Sequence, residues 1–461
     1  MADMNSETVG EVPSLAACLA AASDTKALLV REGALESLSE LIKLHFPDSE
    51  VFLVADGNTM EAAGDRALAA VRDAGLTIAG NYCFPASPRL HADYGHVATL
   101  ASAFRDKGAE RLLPVAVGAG TLNDLVKRAA HEIDRPYLCL PTAASVDGYT
   151  SYGAALLSDG YKRTLECAAP RVVVADSAVL SRAPAYLSSS GFGDLASKIV
   201  AGTDWIIAEV AGRAGAPGTE PIDAFAWDMT QTGLRSALER SESAAKGDAE
   251  AVGTLFEALA LTGFSMQYLK SSRPVSGCEH LFSHVWEMSD LSVGGLPVTH
   301  GHKVAVGTLC ATALTETVFS RREPPAAVSR SSSLRAARDA EARSAFAGLP
   351  AVEAVVETVL AKLLDDAAAA NLVAALADNW SDLRSRVLDR LMPYDELLAM
   401  LERAGCPTKP EEIGLTRKEA IATARKAQMI RNRYTALDLA WDMGILDSSL
   451  ADLERNQKYL R

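Results

Sequence analysis

Four of the eight histidines in this 461-residue chain fall between positions 280 and 302, and imidazoles gathered that closely point to metal chemistry. His280 and His284 stand four apart in a stretch of helical spacing, so they share one helix face. His300 and His302 follow the glycine pair Gly294-Gly295 and open the phrase HGHKVAVGT (300–308). Two neighbouring helices carrying such rings can hold an ion from two sides. Imidazole suits zinc and similar ions, and a catalytic centre typically has three protein ligands and one open position. The remaining ligand should be a carboxylate from another helix. Asp194, behind Gly191 and Gly193 at an expected helix start, offers one. Any one of these histidines alone reads as an ordinary surface or core residue; the cluster together with Asp194 does not.

A second chemistry lies in the phrase VGAGTLND (117–124), where Gly118 and Gly120 stand between an expected strand and an expected helix. Such a turn lets backbone N–H groups approach a phosphate with no Cβ in the way, and the helix N-terminus adds partial positive charge. Thr121 is expected to cap that helix, with Asp124 three residues later completing a capping box. The spacing is not G-x-G-x-x-G, so the ordinary dinucleotide fingerprint is missing. Asp56, closing an earlier strand, suits a ribose diol, and its charge disfavours a 2′-phosphate. Together the turn and Asp56 favour a dinucleotide, NAD more than NADP. The plainer alternative is a tight turn with an ordinary cap.

These residues need elements to position them. Apolar runs at 51–55, 112–117, 137–140 and 171–175 read as strands. Helical patterns follow at about 59–74 and from about Thr121, and strands alternating with helices indicate parallel pairing. From about residue 186 the text turns Ala-, Leu- and Glu-rich and helical almost to its end. The expected architecture is an α/β nucleotide-binding domain over 1–185 and an all-α domain over 186–461, with a ligand cleft between them. The Pro/Ser/Arg-rich text at 321–335 reads as an exposed connection, and the Ala-rich stretch at 336–380 as an inserted helical hairpin.

Composition narrows the setting. With 49% hydrophobic and 23% charged residues the chain reads as an ordinary globular protein. It has no uncharged apolar run of membrane-spanning length and no secretion signal, so the cytoplasm is the expected location. A formal charge of -14 argues against nucleic acid or an anionic membrane as partner, and means that an anionic substrate would need a local cationic pocket. The seven cysteines are scattered without a C-x-x-C pair, which fits reduced thiols, most of them small buried residues.

Six phrases in order resemble the iron-containing alcohol dehydrogenase superfamily, and within it the glycerol-1-phosphate dehydrogenases. They are VGAGTLND (117–124), PTAASVDGYTS (141–151), GYKRT (160–164), GFGDLASK (191–198), SSRPVSGCEHLFSH (271–284) and HGHKVAVGT (300–308), and RNRYTALDLAWDMGIL (431–446) resembles the family's ending. The likeness spans almost the whole chain except about 321–380, which is longer than usual. It implies a dehydroquinate synthase-like fold with a divalent metal in the cleft, zinc or nickel, held by Asp194, His280 and His300. It implies a dinucleotide, NAD or NADP, against Asp56, the turn Gly118, Ala119, Gly120, Thr121 and Leu122, then Thr142, Ala143, Ala144 and Ser145, and Ser151. Asp147 and His284 would contact the substrate, together with Asp194.

The implied reaction interconverts dihydroxyacetone phosphate and sn-glycerol 1-phosphate in a homo-oligomer, a dimer or larger. For the substrate phosphate the first candidate is Arg273, whose fork can grip two oxygens; Lys162, Lys198 and Lys303 are further cations in or beside the motifs. The alternatives are a dehydrogenase of free glycerol or another diol, and a cyclase similar to 3-dehydroquinate synthase. The aspartate at 194, where the cyclases are expected to have glutamate, argues against the latter.

Overall fold

The computed structural model describes residues 12–158, 161–213, 220–289, 291–325, 334–350 and 352–461, with the backbone only at 158 and 161–163. Its sheet-forming strands are β1 (Ala27–Arg31), β2 (Glu50–Asp56), β3 (Ile78–Phe84), β4 (Leu112–Gly118) and β5 (Leu138–Pro141). A small hairpin, β6 (Ala154–Ser158) and β7 (Tyr161–Leu165), precedes the last, β8 (Val172–Asp176). Six of them pair in parallel in the order β1-β8-β5-β4-β2-β3.

Every residue of β4 and β8 is buried, as strands covered on both faces must be. Their continuous apolar runs are what the sequence reading found. It did not find β1 and β3, and their places explain why. They are the two edges of the sheet, where burial is partial: the apolar run of β1 is short and ends at Arg31, and that of β3 is broken by Gly80 and Asn81.

The order of the strands creates one switch point. The chain leaves β2 outward to β3 and leaves β4 in the opposite direction to β5, so a crevice opens above the carboxyl ends of β2 and β4. Asp56 closes β2 and Gly118 closes β4. The expected helix after β2 is present, as Gly57–Thr59, a wider turn over Met60–Gly64, and Asp65–Asp73.

From Ala185 onward the regular elements among the described residues are helices, apart from two-residue strands at Ser292–Val293 and Leu296–Pro297 that turn at Gly294 and Gly295. The helices that matter to the site are Ala185–Ala196, Lys198–Val210, Ala249–Leu269, Cys278–Met288 and His300–Phe319. The region expected to be one inserted hairpin holds three helices, Leu334–Ala345, Val352–Ala361 and Asp366–Asp378. The first of them docks Arg338 over the Trp441 ring of the terminal motif, 4.8 Å from its centroid. Residues 326–333 of the Pro/Ser/Arg-rich connection lie outside the described residues, as do 159–160 and the Lys162 side chain in the GYKRT phrase. Among the described residues no helix is long and apolar enough to cross a membrane. All seven cysteines are free thiols, and only Cys83 is exposed.

Candidate metal centre and nucleotide cleft

Three helices meet where glycine removes the side chain between them. Gly191 and Gly193 sit in the middle of the helix Ala185–Ala196, not at a helix start as expected from sequence, and Asp194 lies near that helix's end. Their role is close packing. A Cβ on Gly191 would overlap the carbonyl oxygen of Ala144, and one on Gly301 would overlap that of Ser190. A Cβ on Gly193 would lie 2.5 Å from the Gly301 oxygen, and one on Gly307 would lie 2.5 Å from the Glu279 oxygen. These contacts press the Asp194 helix against the His300 helix and that in turn against the His280 helix. Gly301→Ala is therefore expected to destabilise the fold by about 1–3 kcal/mol, since rigid backbone must move. A melting temperature equal to that of wild type would show that the seam has slack.

The packing brings ligand atoms of Asp194, His280 and His300 within 4.8 Å of one another. His280 Nε2 lies 3.6 Å from Asp194 Oδ1. Two ligands about 2.0–2.2 Å from one tetrahedral ion are themselves about 3.4 Å apart, so the pair has the spacing that a shared ion needs. Asp194 is fully buried, whereas the His300 side chain is 26% exposed, so the open side of the trio faces past His300. Asp194 Oδ2 is occupied by the Asp147 N–H at 2.9 Å, which leaves Oδ1 as the atom turned to the two imidazoles.

Lys198 contacts that same atom. Its ammonium is 2.8 Å from Asp194 Oδ1 and 2.7 Å from Asp147 Oδ2, with no exposure to solvent. Burial works against all these charges, yet they hold each other ionised. Lys198 is kept above the ordinary lysine range by Asp147 and Asp194, and Asp194 well below the carboxylate range by Lys198 and His280. His280, despite burial, is raised by its bonds to Asp194 and Glu279.

The other two clustered histidines part company. His284 lies one turn beyond His280, with its ring centroid 6.1 Å from that of His280 and 6.4 Å from that of His300. Burial first, and then the charge of Arg431, hold its pKa down to about 3, so it is a neutral imidazole beside the site. His302 turns away, bonded at 2.8 Å to Ser189 Oγ.

Two candidates for the substrate phosphate are corrected by the structure. Arg273 is fully buried and donates to the Asp204 carbonyl oxygen at 2.6 Å. It belongs to a sealed group with Asp204, Cys278 and Glu279, in which burial and the Glu279 charge push Asp204 up to about 7. The Asp204 carboxylate accepts the N–H groups of Cys278 and Ala436 at 2.6 and 2.7 Å, joining the His280 helix to the terminal motif. A guanidinium in that interior cannot reach an entering phosphate. Lys198 is likewise committed to two carboxylates. Lys303, 8% exposed, lies 3.7 Å from Glu287.

On the sheet side, the helix after β4 is Gly120–Glu132, with Ala119 at its N-cap and no side-chain cap. The expected Thr121–Asp124 capping box is therefore absent. Asp124 instead accepts the Ala155 N–H and lies 3.5 Å from Lys127. The first intrahelical bond is Asn123 N–H to Ala119 O, so the N–H groups of Gly120, Thr121 and Leu122 have no partner within the helix and suit an anion. Gly118 and Gly120 have Leu122 and Val146 too close to admit a Cβ. Asp56 does cap its own helix, accepting the Thr59 N–H at 2.9 Å.

Between the turn and the metal trio runs the loop 142–151. Lys127, fully buried, donates to the carbonyls of Gly148, Ser151 and Gly153 and so fixes its far end. Ser190 Oγ donates to the Ser145 carbonyl, and Tyr149 OH to that of Ala143. Thr142, Ser145 and Ser151 keep 6–7% exposure, while Ala143 and Ala144 keep 0–1%, so an approach to the latter two would be through backbone. Midway along the loop the Asp147 N–H bonds Asp194, which ties the loop to the candidate metal ligands. Sequence reasoning missed Glu279 and Glu287, which bond the site's histidines, and Arg431 beside His284. Each lay inside a quoted motif or one turn beyond it.

A parallel sheet with a crevice at its switch point thus stands beside a helical carboxylate–imidazole trio that has the spacing of a metal site. Residues 29–184 match the family model described as iron-containing alcohol dehydrogenase. Two curated relatives are glycerol-1-phosphate dehydrogenases [NAD(P)+]. That of Halalkalibacterium halodurans is 34% identical over 269 residues, 57% of this chain and 64% of the relative. That of Bacillus velezensis is 36% identical over 259 residues, 56% and 63%. The chain thus spans just under two thirds of the length of these relatives. The solved glycerol dehydrogenase of Schizosaccharomyces pombe shares the fold, with a TM-score of 0.58 and 16% identity over 95% of this chain and 93% of that one. The chain is thus similar to iron-containing alcohol dehydrogenases over residues 29–184 and to glycerol-1-phosphate dehydrogenases over more than half of its length.

Proposed function

We propose that the chain is an NAD(P)-linked, metal-dependent oxidoreductase that interconverts dihydroxyacetone phosphate and sn-glycerol 1-phosphate. One observation carries the reading: ligand atoms of Asp194, His280 and His300, from three helices, converge within 4.8 Å of one another beside the loop 142–151. The names of the two curated relatives support the substrate pair. In this reading the trio holds a divalent ion, zinc or nickel by its imidazole–carboxylate donor set, and the ion supplies Lewis acidity toward the substrate's carbinol or ketone oxygen. The dinucleotide lies along Asp56, the turn 118–122, the segment 142–145 and Ser151, with NAD preferred because Asp56 is an anion at the ribose position. A homo-oligomer in the cytoplasm belongs to the same reading.

The protein's own groups divide the work. Asp147, pinned by Lys198 and bonded through its N–H to Asp194, orients the polyol beside the ligands. His284, neutral and with Nδ1 turned to Glu287, presents Nε2 as an acceptor for a substrate hydroxyl and relays its proton toward solvent. Arg431, half-buried with its charge felt at His284, replaces Arg273 as the candidate for the phosphate.

Absorbance at the NADH band, with dihydroxyacetone phosphate, metal-stripped protein and separate return of each ion, tests the reading. Turnover that appears only after one ion is returned is expected; no turnover with any ion defeats it. Arg431→Ala should raise KM for dihydroxyacetone phosphate about tenfold or more, with little change for free dihydroxyacetone. Equal effects on both would remove Arg431 from the phosphate site. A second reading, oxidation of an unphosphorylated diol, draws on the complete burial of Arg273 and Lys198, which removes two of the expected phosphate contacts. Paired kinetics on phosphorylated and free substrates separates the two.

A further inference from the structure

Each imidazole around the open side of the trio has its Nδ1 against a carboxylate. Glu279 Oε1 lies 2.7 Å from His280 Nδ1. Glu287 reaches two rings at once, with Oε1 2.7 Å from His300 Nδ1 and Oε2 3.2 Å from His284 Nδ1. Both glutamates are all but sealed from water, with side-chain exposures of 0% and 3%. A carboxylate accepts, so every one of these Nδ1 atoms carries the proton, and Nε2 is the nitrogen left to face an ion. An imidazole held that way can neither rotate nor change tautomer without losing a short hydrogen bond.

We propose that Glu279 and Glu287 are positioning residues for the metal site, fixing ring and tautomer so that His280 and His300 turn Nε2 to one ion. Glu287 further ties His284 to the same arrangement. The inference rests on the metal-binding reading above. Neighbours of this kind are worth about 10- to 100-fold in metal affinity.

The two glutamates differ in a way that an amide can expose. Glu287 uses a separate oxygen for each of two N–H donors. Glutamine there has a single oxygen, and its NH2 would meet the other Nδ1–H donor to donor, so one ring must flip its tautomer or turn aside. Glu279 uses one oxygen, Oε1, for both His280 Nδ1 and the Gly277 N–H, each at 2.7 Å, while Oε2 has no hydrogen-bond partner. Glutamine at 279 can keep both bonds. A purely structural role for these side chains predicts no such asymmetry.

The test is a zinc titration of the metal-stripped full chain against a competing chromophoric chelator, without substrate or dinucleotide. Thermal melts of each metal-free variant report folding. Expected is a zinc affinity close to wild type for Glu279→Gln, and a loss of about 10- to 100-fold for Glu287→Gln and Glu279→Ala, at an unchanged melting temperature of the metal-free protein. If wild type binds zinc and Glu287→Gln binds it equally, the positioning role is overturned and the metal reading stands. A Glu279→Gln variant as weak as Glu287→Gln overturns the one-oxygen argument. Wild type that binds no zinc brings down the metal reading itself.

Discussion

Replacing Lys198 with methionine is expected to destabilise the metal-free protein by about 3–5 kcal/mol at neutral pH, the usual cost of leaving buried charges without their partner. Methionine fills much the same space, but it strands Asp194, with no exposure, and Asp147, with 11%, as adjacent carboxylates. The sign of the pH dependence follows from Asp194. Burial opposes its charge, and Lys198 above all other groups restores it, so its folded-state pKa is depressed. A carboxyl of that kind contributes stability above its ordinary pKa of about 4 and loses it as pH falls through the folded-state value. Removing the lysine removes that contribution. The gap between wild type and Lys198→Met should be full at pH 7 and should narrow as pH drops below about 4. A divalent ion, binding at the same oxygen, should recover part of it. Denaturant unfolding at several pH values, with and without metal, measures all three effects. A variant as stable as wild type at pH 7 would mean that the ammonium contributes nothing net.

The second large effect concerns the ligands. His280→Ala or His300→Ala is expected to abolish metal retention and lower kcat/KM by about a thousandfold or more, because a Lewis acid supplies several kcal/mol and each 1.36 kcal/mol is about tenfold. His302→Ala is the matched control. It lies two residues from His300 but bonds Ser189 and faces away from the trio, so it should keep its metal. Metal content of the purified variants, set beside their rates, decides. A double variant of His280 and His300 that remains active without metal refutes the assignment.

Much of this arrangement could be read from the chain alone, for identifiable reasons. Strands buried on both faces leave continuous apolar runs, so β2, β4, β5 and β8 stood out; the half-exposed edges β1 and β3 did not. The trio was legible because glycine-flanked aspartate and clustered histidine are rare combinations. Charged residues were read less well. Arg273 reads from sequence as the first candidate for the phosphate, with Lys198 as one further cation beside the motifs, because sequence reports charge and not direction; both turn inward, to Asp204 and to the Asp147–Asp194 pair. The glycines of GFGD were taken for a helix start, although they mark where one helix backbone lies on another. Spacing alone also suggests a capping box at Thr121 and Asp124, but the helix begins without a side-chain cap and Asp124 accepts the Ala155 N–H instead.

The glycine seam bears on how the molecule can move. With Gly191 against Ala144, and Gly193 and Gly301 nested together, there is no clearance for sliding along that line. An opening between sheet and helices would then swing about the Gly191–Ala144 contact as a door swings on its pin, since the Gly193–Gly301 contact joins two helices of the same side. Points near the pin travel least, so Asp194, His300 and the backbone of 142–145 would keep their mutual geometry through each cycle of entry and release. The sweep would be felt at the rim farthest from the glycines.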